Sequence, residues 1–287
     1  MKKINLQLII AVFTLLNILS SCSIKDEPVT EHPFHEIKEH ATFHGNFESN
    51  IVVINTQGGP ETKLEDNVLR DIMNTTNTYN ALFVNVHQKQ TKEPHLFSKA
   101  DITFEEAKQY DIESVVRLKN VIDYYKKKNK KVCVLGISFG AFMTQELIAE
   151  YGIDIADKYL IIAGRLDIEK ETWSPFSEGK MTEYIYNQSG DFSISIIDKE
   201  LSTEEKNMAK LAAGLGFNRY TKRLKAIEDL SKITYIYGTR DEQVGPLSDE
   251  EIKFLESKKV QIGKNDGANH DQTIQAGASL IKALFGI

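Results

Sequence analysis

Residues 131–140 read KVCVLGISFG, and this stretch decides the fold. Its first half is apolar and β-branched, which is typical of a buried strand, and the apolar residues that follow to about Tyr151 predict a helix. Gly136, Ser138 and Gly140 form the pattern GxSxG at the junction. Small residues are needed there because a serine on a sharp strand-to-helix turn has strained backbone angles and tightly packed neighbours. The stretch therefore predicts a nucleophilic Ser138 on a sharp turn at the end of a strand.

Strands and helices alternate on both sides of this turn. The sequence predicts strands at 51–55, 81–86, 158–164, 233–238 and 260–263, with a possible edge strand at 41–47. It predicts helices at 61–74, 104–127 and 203–215 and a terminal helix to about Leu284, with Thr103 and Glu106 forming a capping box before the second of them. This alternation predicts an α/β fold whose mostly parallel sheet is covered by helices on both faces. Ligands should then bind at the carboxyl ends of the strands.

One long interval breaks the alternation. About 65 residues, 166–230, separate two predicted strands, and an insertion of this length in a compact domain is usually a lid or cap. The interval contains seven aromatic residues, Trp173, Phe176, Tyr184, Tyr186, Phe192, Phe217 and Tyr220. Such residues suit an apolar acyl or aryl group of a substrate, and they equally suit the covering of a core.

A serine needs a base and an orienting acid before it is a useful nucleophile at neutral pH. His270, in the sequence GANHD, is the only histidine in the second half of the chain. Asp241 follows a predicted strand in the sequence GTRDEQV, with Glu242 as a reserve. Asp271 is expected to cap the terminal helix instead. The chain order Ser138, Asp241, His270 differs from the chymotrypsin-like and subtilisin-like orders.

These three motifs, in this order, resemble the α/β-hydrolase superfamily over about residues 51–285. The superfamily also has an oxyanion-hole loop after an early strand, and Gln57, Gly58, Gly59 and Pro60 resemble its HGGP loop. The resemblance implies that the N–H groups of Gly59 and of Phe139, the residue after the serine, stabilise the oxyanion. Pro60 has no N–H to donate. Gln57 stands where many relatives have His, a residue that supports this loop.

The resemblance implies a serine hydrolase that cleaves an ester or related acyl bond through an acyl-enzyme, of the carboxylesterase or lipase type. No metal or organic cofactor is required, and the expected partner is a small-molecule acyl substrate. A peptidase or aminopeptidase of the same fold is the main alternative, because HGGP-like loops also occur among iminopeptidase relatives. An acyltransferase and a non-catalytic binding lipoprotein stay open as well.

Other polar residues have competing interpretations. His32, His35, His40 and His44 lie within 13 positions and suggest a zinc or copper site, but no carboxylate or thiolate joins them in a known ligand spacing. The expectation is therefore no metal site. Arg165 suits either an anionic substrate group or an ion pair.

The first 22 residues predict export. Lys2 and Lys3, an apolar run over 8–19 and the sequence LSSC at 19–22 have the order of a secretion signal, and LSSC resembles the lipobox of bacterial lipoproteins. The prediction is a signal peptide at 1–21, a lipid-modified Cys22, a tether at 22–45 and the hydrolase domain at 46–287. The lipid would anchor the protein to the bacterial cell envelope, with the outer membrane as the predicted site.

Composition excludes several classes of protein. The chain has 287 residues, 41% hydrophobic and 26% charged, which is typical of globular domains and not of collagen-like or disordered chains. Its 41 Asp and Glu residues outnumber its 35 Lys and Arg residues, giving a formal net charge of −6. This acidic balance argues against a surface that binds nucleic acid phosphates.

Overall fold

The computed structural model describes residues 36–287 of the chain, and residues 37–287 form one compact unit. The predicted signal peptide, the lipidation site at Cys22, most of the tether, and His32 and His35 lie outside the described residues. Within residues 36–287, none of the helices combines the length and the apolar character needed to cross a membrane.

A seven-stranded sheet forms the centre of the fold, with the spatial order β1-β3-β2-β4-β5-β8-β9. Its strands are β1 (Ala41–Gly45), β2 (Ile51–Thr56), β3 (Leu82–Val86), β4 (Lys131–Ile137), β5 (Lys158–Ile162), β8 (Ile233–Gly238) and β9 (Gln261–Asn265). The edge strand β1 pairs antiparallel with β3, and the other neighbouring strands pair in parallel. The prediction of a mostly parallel sheet is confirmed.

Helices connect the parallel strands. They are α1 (Asp66–Thr76), α2 (Lys89–Lys92), α3 (His95–Ser98), α4 (Phe104–Lys127), α5 (Phe139–Tyr151), α6 (Lys170–Ser177), α7 (Thr203–Gly216), α8 (Tyr220–Arg223), α9 (Asp249–Ser257), α10 (His270–Ala278) and α11 (Ile281–Phe285). A 3₁₀ turn, Ile153–Ile155, precedes β5. Helix α4 has the predicted bounds, and Thr103 and Glu106 form the predicted capping box.

Two helix predictions differ from the structure. Helix α1 begins at Asp66 and not at residue 61, because the amide of Gln57 holds residues 63–65 in a loop by hydrogen bonds to the Lys63 carbonyl and the Glu65 N–H. The terminal helix is divided into α10 and α11. The break follows Gly277 and Ser279, which are weaker helix formers than the residues around them.

The interval between β5 and β8 contains α6, α7, α8 and a two-stranded antiparallel hairpin, which the sequence did not predict. The hairpin consists of β6 (Thr182–Tyr186) and β7 (Phe192–Ile196). Its strands carry β-branched and aromatic residues at alternate positions, and Gly190 has a positive φ of 94° in the turn between them. This alternation and turn are the signals that would have predicted it.

The core lies between the sheet and its helices. Side chains of β2, β4 and β5, such as Val53, Leu135 and Ile162, are fully buried in one cluster with residues of α1 and α11. Cys133 of β4 belongs to this cluster, and burial raises the pKa of its thiol to about 12. Cys133 is therefore a packed apolar side chain, as expected. This packing fixes the carboxyl ends of the central strands along one edge of the sheet.

Candidate active site

Ser138 lies on the turn between β4 and α5 with a backbone conformation that L-amino acids rarely adopt. Its φ is 53° and its ψ is −117°. The Ser138 N–H donates a hydrogen bond of 2.9 Å to the carbonyl oxygen of Ile162 on the neighbouring strand, which holds the turn. A strained residue held in this way at the end of a central strand is typical of a functional position.

Both glycines of the GxSxG pattern are required by close packing. A Cβ at Gly136 would lie 2.4 Å from Thr144 Oγ1, and a Cβ at Gly140 would lie 1.8 Å from the carbonyl oxygen of Thr56. The Thr56 hydroxyl donates to the carbonyl oxygen of Gly140 at 2.9 Å, so β2 and the first turn of α5 are bound directly together. The glycines thus let the turn that carries Ser138 lie against the carboxyl end of β2.

Gly140→Ala should destabilise the fold strongly. The new methyl group meets backbone atoms that cannot rotate away, so we expect the free energy of unfolding to fall by about 3 kcal/mol or more. Gly216→Ala is the matched control, because its Cβ would meet only Ile168 Cδ1 at 3.6 Å, an ordinary contact near the end of α7. Urea unfolding followed by circular dichroism measures both variants. Equal stabilities for the two would contradict the close approach at Gly140.

His270 contacts both of the residues that the sequence paired with it. Its Nε2 lies 2.9 Å from Ser138 Oγ, and its Nδ1 lies 2.9 Å and 2.8 Å from the two carboxylate oxygens of Asp241. The carboxylate only accepts hydrogen bonds, so it favours the tautomer with a proton on Nδ1. The lone pair of Nε2 then faces the serine hydroxyl.

All three side chains are enclosed by the protein. Asp241 is 1% exposed, His270 is 3% exposed and Ser138 is 9% exposed. The buried carboxylate is satisfied, because Oδ1 of Asp241 also accepts the N–H groups of Gln243 and Val244 at 3.0 Å each. These donors orient the carboxylate toward the imidazole and stabilise its charge.

The neighbouring acidic residues have other roles. Glu242 accepts the backbone N–H of His270 through Oε2 at 3.1 Å, so it supports the histidine loop from the main chain. Asn269, and not Asp271, caps α10, in a capping box with Gln272. The expectation for Asp271 was therefore wrong, since Asn269 comes first at the cap position and its side chain accepts the Gln272 N–H at 2.9 Å.

The loop after β2 packs against the serine. A Cβ at Gly58 would lie 3.4 Å from the Cβ of Ser138, and Gly59 has a φ of 112°, a left-handed conformation that favours glycine. The side-chain amide of Gln57 binds the Lys63 carbonyl at 3.0 Å and the Glu65 N–H at 2.8 Å. Gln57 therefore supports this loop from within. Phe139 is the first residue of α5, so its N–H has no acceptor within the helix.

A cavity of about 760 Å³ opens above Ser138. Gly59, Phe139 and His270 line it together with the serine, and so do side chains of α1, α6 and α7. Trp173 and Phe176 are the cavity-lining members of the seven aromatic residues between β5 and β8. Tyr220, in contrast, is fully buried. The aromatic residues therefore divide into some that line the cavity and some that are packed inside the fold, and contact of the first group with a substrate stays a prediction.

Two further sequence hypotheses concern residues outside the cavity. Arg165 is buried and paired with Glu169 and Glu251, each at 3.0 Å, and these neighbours raise its pKa despite desolvation. Its ion-pair interpretation is confirmed.

His44 Nε2 lies 3.0 Å from Asp66 Oδ1. Among residues 36–287, no group of three or more His, Cys, Asp or Glu side chains is arranged to hold a metal ion.

Eight polar residues at the cavity belong to none of the sequence motifs: Asn55, Glu61, Glu65, Thr172, Thr182, Glu183, Glu204 and Glu205. The first three lie within ten positions of Gly59, and this proximity along the chain is the signal that would have found them. The other five come from the insertion between β5 and β8. Only the folded chain brings them to the same cavity.

Sequence comparison identifies no relative, since no protein-family model matches the chain and no curated protein matches it significantly. Solved structures do match. TT1662 from Thermus thermophilus is 14% identical, with a TM-score of 0.55 over 86% of this chain and 94% of that one. A lipase-esterase related protein from Clostridium acetobutylicum is 14% identical, with a TM-score of 0.54 over 85% of this chain and 98% of that one.

A third structure is named for the fold itself. MGS-M2, an alpha/beta hydrolase enzyme from a deep-sea metagenome library of the Medee basin, is 13% identical. Its TM-score is 0.53 over 86% of this chain and 94% of that one. At these identities the likeness concerns the fold. Together with the sheet described above, it confirms the α/β-hydrolase fold for this chain.

Proposed function

We propose that this chain is a serine hydrolase, with Ser138 as nucleophile, His270 as general base and acid, and Asp241 as the residue that orients the histidine. The observation that carries the proposal is the pair of contacts made by His270, one to Ser138 Oγ and one to the Asp241 carboxylate. The strained turn under Ser138 and the cavity above it support the same roles.

In the first half of the reaction, Ser138 Oγ attacks the carbonyl carbon of an ester while its proton passes to His270 Nε2. Asp241 stabilises the imidazolium that forms. The N–H groups of Gly59 and Phe139 are the proposed donors to the oxyanion, and removing one such donor typically costs about 3 to 4 kcal/mol in transition-state stabilisation. The tetrahedral intermediate then collapses, and His270 returns the proton to the departing alcohol.

In the second half, a water molecule attacks the acyl-enzyme. His270 removes a proton from the water, a second tetrahedral intermediate forms, and the proton returns to Ser138 Oγ as the acid is released. The transfers between Ser138 Oγ and His270 Nε2 use a contact that is already formed in the free protein, and the transfers to the alcohol and from the water use the same nitrogen. The chain's own residues therefore supply the whole of the proposed chemistry.

The cleaved bond is proposed to be an ester. The matched test compares 4-nitrophenyl butyrate with butyryl 4-nitroanilide, which has the same acyl group on an amide nitrogen, and with alanine 4-nitroanilide. We expect release of nitrophenol from the ester and no release of nitroaniline above background from either anilide. Turnover of the anilides alone would show that the ester assignment is wrong and would favour the peptidase alternative.

The cellular setting stays a prediction from the sequence. We propose that Cys22 carries the lipid that anchors the domain to the cell envelope, since LSSC at 19–22 follows an apolar run of signal-peptide length. An anchored hydrolase would meet small acyl substrates at the membrane surface.

A further inference from the structure

The loop after β2 needs an outside contact to hold its direction. It carries Gly59, the proposed oxyanion donor, directly after Gly58, and two successive glycines have no Cβ to restrict their backbone angles. The side-chain amide of Gln57 closes the loop on itself, at the Lys63 carbonyl and the Glu65 N–H. Because these two bonds join the loop to itself, they do not fix it relative to the neighbouring strand β3.

A buried glutamine that follows β3 supplies such a contact. Gln88 Nε2 donates a hydrogen bond of 3.0 Å to the main-chain carbonyl oxygen of Gln57. Gln88 is 1% exposed and Gln57 is 4% exposed, so water does not compete for this bond. The same oxygen lies against α5, since a Cβ at Gly140 would be 2.8 Å from it. The Gln57 carbonyl is therefore held between two elements of the fold.

A second buried glutamine sets the orientation of this amide. Gln90, also 1% exposed, donates its side-chain amide to Gln88 Oε1. A main-chain carbonyl only accepts hydrogen bonds, so Gln88 presents Nε2 to Gln57 and Oε1 to Gln90. Both hydrogen bonds require the same orientation of the Gln88 amide. Turning the amide over would lose both of them.

The backbone that carries Gln88 is anchored as well. Its carbonyl oxygen accepts the Thr91 hydroxyl at 3.0 Å and Arg117 Nη1 at 3.3 Å. The next N–H, that of Lys89, donates to Ser114 Oγ at 2.7 Å. Arg117 and Ser114 belong to the long helix α4. The amide of Gln88 thus extends from a fixed backbone, so it can hold the loop and does not have to follow its movements.

The Gln57 carbonyl determines where the next peptide group begins. A peptide group is planar, so fixing the Gln57 oxygen also fixes the N and Cα atoms of Gly58. The peptide that contains the Gly59 N–H continues from that Cα. This point is next to the nucleophile, since a Cβ at Gly58 would lie 3.4 Å from the Cβ of Ser138. Rotation of the first peptide would therefore move the proposed donor relative to the oxyanion.

We propose that Gln88 is a positioning residue for the hydrolysis: its amide holds the Gln57 carbonyl and thereby keeps the Gly59 N–H directed at the oxyanion. Gln88 acts through the loop and not on the substrate, and it is not one of the described residues that line the cavity. The inference deepens the proposed function and rests on it, because an oxyanion forms only if Ser138 attacks a carbonyl group.

The test variant is Gln88→Met, which has a side chain of similar length without a hydrogen-bond donor. Hydrolysis of 4-nitrophenyl butyrate is measured per site labelled by a fluorophosphonate, so that unfolded protein is not counted. We expect kcat to fall by about tenfold or more, because a displaced donor stabilises the transition state less well. KM should change by less than about twofold, since both halves of the reaction form an oxyanion and slow together. A kcat equal to that of the wild type would overturn the proposal.

A transition-state analogue reports on the oxyanion itself. With propyl trifluoromethyl ketone, Ser138 Oγ bonds to the ketone carbon, the ketone oxygen becomes the oxyanion and the serine proton passes to His270 Nε2. In Gln88→Met its inhibition constant should rise by the same factor by which kcat falls. The inhibition constant of methyl propyl ketone, which binds without forming this adduct, should not change. A lower kcat with an unchanged inhibition constant for the trifluoromethyl ketone would contradict the proposed role.

Gln145→Met is the matched control. Gln145 is also 1% exposed, and its amide donates to a main-chain carbonyl, that of Arg165, at 3.0 Å. It lies on α5 and is not among the described residues that line the cavity. The substitution therefore removes the same kind of buried hydrogen bond, and it should leave kcat and both inhibition constants unchanged. Equal losses in the two variants would show a general effect of a buried methionine and would reject the positioning role.

Hydrogen exchange tests the loop without catalysis. The amides of Gly58, Gly59 and Glu61 should exchange about threefold or more faster in Gln88→Met than in the wild type, as expected for the loss of one typical hydrogen bond. Gln145→Met should not change them, and unchanged exchange in Gln88→Met would overturn the proposal.

Failure of the proposed function is detected separately. Labelling of the wild-type chain by a fluorophosphonate reports whether Ser138 is an activated nucleophile. Absence of labelling would reject the hydrolase proposal and, with it, the role of Gln88 in catalysis. Labelling of the wild type together with an unchanged kcat in Gln88→Met would reject the role of Gln88 alone.

Discussion

Replacing Ser138 with Ala is expected to abolish covalent labelling by a fluorophosphonate and to lower kcat for 4-nitrophenyl butyrate by about 10⁶-fold. The hydroxyl is the atom that forms the acyl-enzyme, and no other hydroxyl lies in contact with His270 Nε2 among the described residues. The loss is large because His270 and Asp241 act only through this serine, so their contribution disappears with it.

The control for this variant is Ser279→Ala. Ser279 is an exposed residue after α10 whose hydroxyl donates to the Ala276 carbonyl, so the same change there should leave labelling and kcat unaltered. Circular dichroism and thermal unfolding should show that Ser138→Ala is folded, since a methyl group fits where the larger side chain was. Persistent labelling of the Ser138→Ala variant would exclude Ser138 as the nucleophile.

Asp241→Asn should lower kcat by about 10⁴-fold while leaving the fold intact. The amide has nearly the same shape as the carboxylate, but it carries no charge to stabilise the imidazolium. It also no longer presents two acceptors, so an NH₂ group turned toward His270 favours the tautomer whose Nε2 carries the proton. Nε2 cannot then accept the proton of Ser138.

Asp266→Asn is the matched control for Asp241. Asp266 lies on the same edge of the fold but is exposed and paired with Lys264 at 2.7 Å, so we expect wild-type rates from this variant. The ester assay at saturating substrate measures kcat for both. A rate within about tenfold of wild type for Asp241→Asn would show that Asp241 does not orient the base. Glu242→Gln would then be the variant to examine.

Local sequence signals predicted the fold well, and specific residues show why. The capping box at Thr103 and Glu106 satisfies N–H groups within one turn, so the start of α4 needs no distant contact to be predicted. The GxSxG pattern likewise requires a tight turn from neighbouring residues alone.

The start of α1 was predicted five residues too early, because the amide of Gln57 competes for the backbone groups of residues 63–65. A side-chain contact of that kind has no local signature.

The candidate site likewise contains residues whose meeting the sequence predicts and residues whose position it does not predict. Ser138, Asp241 and His270 each follow a strand, and parallel strands bring their carboxyl ends to one edge of the sheet, so their meeting could be predicted from their order. Their hydrolytic roles stay a prediction that the variants above test. The hairpin β6–β7 and the position of Glu204 were not predicted, because they depend on how the insertion packs over that edge.

The sequence by itself determined the α/β alternation, the nucleophile turn and the order of the three motifs, since each depends on residues that are close along the chain. Only the tertiary structure decided that Glu61 and Glu204, 143 positions apart, lie at one cavity. It also decided that Asn55 Oδ1 has no hydrogen-bond partner among residues 36–287, since the hydrogen-bond chain from Asp66 through Asn85 joins three separate elements. The nucleophile turn depends on residues that are neighbours in the sequence. The charge of the cavity depends on contacts between residues that are far apart in the sequence.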